Sequence, residues 1–227
     1  MAPTPTLVEP LAHADLVILD FDGPVVRLLP DPEHIDLAHA ALAVLTQAGV
    51  DVPEQIARLT DHGAVLAETG RRWPHLHAGI DDLCTQAEVD AARRQPPQPG
   101  AGELVQAMAA AGVPVCIVTN NAPACVTAFL QRWPWGHLVR SVHGREPARP
   151  ERLKPNPAML LDALAVTGVP ADRAVMVGDS VSDVHAARRA QVASVGITAD
   201  ERRATQLRGA GACLVVPDTA ALTGGSG

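Results

Sequence analysis

The sequence predicts an α/β fold, an open, doubly wound parallel sheet with a set of helices inserted after its first strand. Three observations predict it. Short Val-, Leu- and Ile-rich runs recur along the chain and suit parallel strands buried on both faces. From Gly102 onward, amphipathic stretches of helical length alternate with those runs, the pattern of a sheet wound by helical crossovers. Between the first run and the second, residues 31–95 hold no strand-like run and read as helices, more chain than a plain connection needs.

The first run, Leu16 to Leu19, lies in DLVILDFDGPV and is stopped by Asp20, Asp22, Gly23 and Pro24. Three helices follow, roughly Ile35 to Ala48, Pro53 to Gly70 and Ile80 to Arg94, and the Pro-rich QPPQPG, Gln95 to Gly100, returns the chain to the sheet. GELVQAMAAAG then reads as a helix with Gly112 at its C-cap, and leads into the run Val113 to Val118. APACVTAFLQRW, Ala122 to Trp133, is a helix before the run Leu138 to Val142. NPAMLLDALAVTG ends at Gly168 and precedes Ala174 to Val177. SDVHAARRAQ, Ser182 to Gln191, precedes Val192 to Ile197, and the last run is Cys213 to Val216. The TGGSG tail, Thr223 to Gly227, reads as a flexible end. The expected architecture is a Rossmann-like core of residues 1–30 and 96–227 with a helical cap of residues 31–95.

Composition narrows the function classes. A formal charge of −7 and a pI near 5.7 argue against a nucleic-acid partner, which favours a basic face. No apolar stretch is long enough to span a bilayer, so no membrane partner is expected. The first residues lack the basic and apolar segments of a secretory signal, which leads to an expectation of a cytoplasmic protein. Cys84, Cys116, Cys125 and Cys213 are widely spaced with no C-x-x-C pair and read as small core residues. Of the 18 basic residues, 17 are Arg, and the only lysine is Lys154.

Ligands of doubly wound sheets bind beyond the carboxyl ends of the strands. Here those ends carry Asp20 and Asp22, then Thr119, Asn120 and Asn121, then Gly178, Asp179, Ser180, Ser182 and Asp183, with Lys154 in the segment before the fourth strand. Each has a bland reading. Asn121 or Ser182 can serve as a helix N-cap, Thr119 as a β-branched strand end, and GDSVSD as a solvated turn. A lysine in a chain that otherwise uses Arg points the other way, because a compact ammonium can approach a single phosphoryl oxygen.

In this order, DFDGP (Asp20 to Pro24), VTN (Val118 to Asn120), LKPNP (Leu153 to Pro157) and VGDSVSD (Val177 to Asp183) resemble the four motifs of haloacid dehalogenase-like hydrolases. The inserted helices resemble that family's cap, and Pro24 departs from the Thr or Val common at its place. The resemblance implies Asp20 as nucleophile and Asp22 as general acid and base. It implies Mg²⁺ held by Asp20, the carbonyl of Asp22 and Asp179, with Asp183 close by. It also implies that Thr119, the amide of Asn120 and Lys154 meet the phosphoryl oxygens. Arg27, which leads into the cap, and Arg58, Arg71, Arg72, His75 and His77 on it are the candidates for substrate contact. Asp22 favours phosphoryl transfer over dehalogenation, and a cap without lysine speaks against a Schiff-base phosphonate hydrolase. A phosphatase acting on a small phosphorylated metabolite, as a monomer or weak dimer, is the expectation. A phosphomutase or a catalytically silent binding module is the alternative.

Overall fold

A computed structural model describes residues 7–223, so the last four residues of the TGGSG tail lie outside it. Six strands form one parallel sheet: β1 (Leu16–Leu19), β2 (Val115–Val118), β3 (Val139–His143), β4 (Ala174–Gly178), β5 (Ala193–Ile197) and β6 (Leu214–Val216). Their order is β3-β2-β1-β4-β5-β6. The chain winds outward from β1 through β2 to β3 and then crosses back to β4 on the other side of β1. The winding therefore reverses between β1 and β4, where Leu16 pairs with Ala174 and Leu19 with Val177.

Side chains two apart along a strand share a face, and the core follows that rule. Leu16, Ile18, Cys116, Val118, Ala174 and Met176 pack on Met159 and Leu160 of α7 (Ala158–Thr167) and on Ala186 and Ala187 of α8 (Val181–Arg189). Val17, Leu19, Ile117 and Val177 belong to the larger core on the opposite face. That core takes in Leu104 and Met108 of α5 (Ala101–Ala110) and Cys125, Val126 and Phe129 of α6 (Pro123–Leu130). Phe21 joins it edge-on to Phe129, with ring centroids 5.3 Å apart.

The insertion between β1 and α5 holds four helical segments where three were expected: α1 (Glu33–Gln47), α2 (Glu54–Ala57), α3 (His62–Arg72) and α4 (Pro74–Arg94). The expected helix from Pro53 to Gly70 breaks because Asp61 accepts the Ala64 amide at 2.6 Å and so starts a new helix. The next begins earlier than Ile80, at Pro74, whose missing N–H is harmless in a first turn. One helix beyond those singled out, α9 (Glu201–Ala210), buries only Ala204, Leu207 and Ala210. Cys213 is exposed, unlike the other three cysteines, because it precedes the edge strand β6. Among the described residues no helix is long and apolar enough to cross a membrane.

The turn between α6 and β3 is tight. A Cβ on Gly136 would stand 2.1 Å from the backbone oxygen of Leu130, and a backbone atom cannot swing aside as a flexible side chain can. Gly136→Ala is expected to cost about 1–3 kcal/mol, as overpacking does. A melting curve checks this, with a fall in Tm of about 2–4 °C for each kcal/mol lost.

Candidate active site

The carboxyl ends of β1, β2 and β4 open on one pocket of about 990 Å³, lined by Asp20, Asp22, Thr119, Asn120, Lys154 and Asp179 among others. Asp20 and Asp22 both line it while Phe21 between them is fully buried in the core. Alternation beyond the end of β1 thus gives two carboxylates to the pocket and one ring to the packing. The turn that follows brings Gly23 against the next acid. Its φ is +108°, and a Cβ there would lie 2.5 Å from the carboxyl carbon of Asp179. Only glycine satisfies both demands.

Lys154 is buried and its ammonium stands close to three oxygens. Asp20 Oδ1 stands 2.8 Å away, Asp183 Oδ1 2.6 Å and the carbonyl of Val118 3.0 Å. Asn120 fixes the backbone of Lys154 from across the pocket. Its Oδ1 accepts the Lys154 amide at 2.8 Å and its Nδ2 donates to the Lys154 carbonyl at 3.1 Å. Asp183 lies behind the pocket wall, 1% exposed. Its Oδ2 closes a capping box with Ser180 at the start of α8, which leaves Oδ1 for the lysine. The N-cap is therefore Ser180 and not Ser182. Asn121 is no N-cap either, since α6 starts at Pro123 behind Ala122.

Ligand atoms of Asp20, Asp179 and Asp183 come within 4.8 Å of one another. Burial raises the Asp20 carboxyl well above its usual range, and Asp183 and Asp179 add to this while Lys154 opposes it. Burial also raises Asp179, with Asp183 beside it, to about 6. Asp22 is raised by burial, against the pull of the Leu28 amide, which donates to its Oδ1 at 2.9 Å. For Lys154 burial alone would lower the value, but Asp183 and Asp20 drive it up. The ammonium stays charged, and two acids, Asp20 and Asp183, share it.

The side chains named for substrate contact divide. Arg27 lines the pocket. Arg58 pairs with Glu54 on the surface, Arg71 and Arg72 share Glu68, and none of the three is in the lining. His75 is exposed outside the pocket, and His77 is buried away from it. Thr119 does not send its hydroxyl into the pocket in this structure. It donates to Asn121 Oδ1 at 2.9 Å.

Three residues passed over in the sequence complete the surroundings. Arg203, on α9, donates through Nη2 to both the carbonyl and Oδ2 of Asp179, each at 3.0 Å. Glu88 of α4 and Arg145 after β3 are buried together, with Arg145 Nη1 2.8 Å from Glu88 Oε1. Glu88 was detectable as an acid in step with the buried Cys84 and Ala91 on one helix stripe.

Comparison with known proteins gives the family and the fold. The chain is 31% identical over 194 residues to a phosphoglycolate phosphatase of Pseudomonas savastanoi pv. phaseolicola, covering 81% of this chain and 69% of that one. A phosphoglycolate phosphatase of Rhodospirillum rubrum is 33% identical over 192 residues, covering 78% and 76%. In fold, it is similar to a HAD family hydrolase of Deinococcus radiodurans solved with bound phosphate and sodium. The TM-score there is 0.60 at 25% identity, over 93% of this chain and 94% of that one. CbbY of Rhodobacter sphaeroides, solved with xylulose-(1,5)bisphosphate, shares the fold at 21% identity and a TM-score of 0.66, over 91% and 95%. The family model for haloacid dehalogenase-like hydrolases matches residues 14–191, which span every strand end that lines the pocket's acidic floor, and the chain belongs to that family.

Proposed function

We propose that this chain is a Mg²⁺-dependent phosphatase that hydrolyses a small phosphate monoester through an aspartyl phosphate on Asp20, in the cytoplasm. The observation that carries the reading is the pairing of two pocket-facing carboxylates, Asp20 and Asp22, with one buried ammonium and two further acids at the switch point of the sheet. A binding module needs no such pair. The relatives named phosphoglycolate phosphatase put that ester first among the substrates to test.

Asp20 Oδ1 is engaged by Lys154 and by the Phe21 amide at 2.7 Å, while Oδ2 has no hydrogen bond among the described residues. One carboxylate oxygen is therefore free to attack phosphorus, and the bond from phosphorus to the ester oxygen breaks. Asp22 gives its proton to that leaving oxygen. It then takes a proton from the water that attacks the aspartyl phosphate, releasing phosphate and restoring Asp20. A carboxyl raised by burial is suited to hold the proton needed for the first step. The Thr119 hydroxyl can rotate from Asn121 to a phosphoryl oxygen, and Lys154 offsets the charge spread over those oxygens.

The donor set fits a hard divalent cation. Asp20, Asp179 and Asp183 offer only oxygen, and Asp183 Oδ1 is buried with no hydrogen-bond geometry satisfied, though the ammonium lies near. Asp20, the backbone carbonyl of Asp22 and Asp179 would hold Mg²⁺, with Asp183 orienting them. When bound it supplies positive charge to the transferring phosphoryl group. The inserted helices would act as a cap over this floor, with Arg27 at its edge. The free cysteines among the described residues accord with a reducing compartment.

Release of phosphate from a panel of esters, beginning with 2-phosphoglycolate, tests the assignment, and a wild-type protein that releases none from any ester ends it. Chelation is expected to abolish turnover, and added Mg²⁺ to restore it. Asp20→Asn should remove activity on every ester. Asp22→Asn should spare an aryl phosphate more than an alkyl phosphate, because a good leaving group needs less protonation; equal losses on both would count against its role. Lys154→Arg keeps the charge but brings a planar fork to a buried site built for one hydrogen bond and two ion pairs of a compact ammonium. Its kcat is expected to fall by on the order of 10² to 10³, measured on protein shown folded by its melting curve.

A further inference from the structure

Glu88 lies on α4, in the inserted segment, and is fully buried. Every polar partner it has except one comes from the sheet side of the molecule. Its Oε2 accepts the backbone amide of Ala122 at 2.8 Å and its Oε1 accepts Asn121 Nδ2 at 3.1 Å. Arg145 reaches both oxygens, at 2.8 and 3.2 Å. The exception is His62 at the start of α3, with Nε2 3.1 Å from Oε1. Arg145 in turn donates to the carbonyl of Asn120 at 2.9 Å and pairs with Asp81. Burial would raise the Glu88 carboxyl, yet His62 and Arg145 bring it to about 2, so it stands as a carboxylate.

The consequence runs into the loop after β2. An amide side chain has one accepting and one donating end. Because Glu88 takes the Nδ2 end of Asn121, the Oδ1 end is turned to Thr119, whose hydroxyl it receives at 2.9 Å. The Asn121 amide closes the turn on Thr119 Oγ1 at 3.2 Å. A carboxylate on an inserted helix thus fixes the orientation of Asn121 and, through it, of the Thr119 hydroxyl.

We infer that Glu88 is a positioning residue for the phosphate-binding loop, acting through Asn121 and Ala122 with Arg145 as its counter-charge. This rests on the loop's assignment under the proposed function, so the experiment reads phosphate binding as well as turnover. Inorganic phosphate is titrated calorimetrically, in the presence of Mg²⁺, into wild type, Glu88→Gln, Asn121→Ser and Gly136→Ala, and kcat and KM are measured on the same samples. Glu88→Gln and Asn121→Ser should each weaken phosphate binding by about tenfold, the scale of one lost buried hydrogen bond. Their losses should be less than additive in the double variant, since both break one chain of bonds. Gly136→Ala, destabilised far from the loop, should bind phosphate as wild type does. A folded Glu88→Gln or Asn121→Ser with wild-type affinity overturns the inference, as does an equal loss in Gly136→Ala. If Glu88→Gln does not fold, Asn121→Ser alone decides. A wild type that binds phosphate but hydrolyses no ester would end the hydrolase reading while leaving this test intact, and one that binds no phosphate would overturn the inference too.

Discussion

Three carboxylates meet where the sheet reverses its winding, and one buried ammonium holds two of them together there. Two ion pairs of 2.8 and 2.6 Å, from Lys154 to Asp20 and Asp183, join the ends of β1 and β4 through a residue that belongs to neither. A third bond to the Val118 carbonyl joins the end of β2. Without that charge, buried acids so close would repel each other or take up protons. Elements on both sides of the site are arranged to bring the ammonium in. The paired bonds of Asn120 grip the peptide of Lys154, and the capping box of α8 leaves one oxygen of Asp183 to face it.

The site is therefore a balance and not a simple accumulation of negative charge. Arg203 approaches Asp179 from outside while Lys154 approaches its neighbours from within, so each acid has a cation or a backbone donor on one side. A second balance, between Glu88, Asp81 and Arg145, lies beneath the loop after β2. Breaking a buried pair of this kind costs about 3–5 kcal/mol because it strands the remaining charge. The same reason makes the loop's shape expensive to alter.

Most of the sheet can be read from the sequence because parallel strands covered on both faces are apolar at every position, as LVIL and VCIV are. Asp20, Asp22, Thr119 and Asp179 are readable as a set because they fall at the ends of such runs, and Lys154 joins them as the only lysine of the chain. What escapes has a physical reason in each case. The break between α2 and α3 depends on one capping bond from Asp61, and Asp is as common on helix surfaces as at their starts. α9 is masked by ERRATQLRGA, whose few buried residues are mostly alanine. Arg145 looks like a surface charge because it lies in a loop with no periodicity to show what it faces, and Glu88 is marked only by its step with Cys84 and Ala91 on one helix. Arg71 and Arg72 err in the opposite sense, looking free for a ligand although both are held by Glu68.

A chain with 17 arginines and one buried lysine also has an unusual chemical surface. Acylating reagents and enzymes that modify side-chain amines find a single target, and in the folded protein it is sealed behind Asp20 and Asp183 with about 2% of its side chain open to water. Apart from histidine, the other cationic side chains are all guanidinium, which such chemistry does not touch. Labelling of Lys154 itself, told apart from that of the α-amine, is thus a measure of how often the floor of the pocket comes apart.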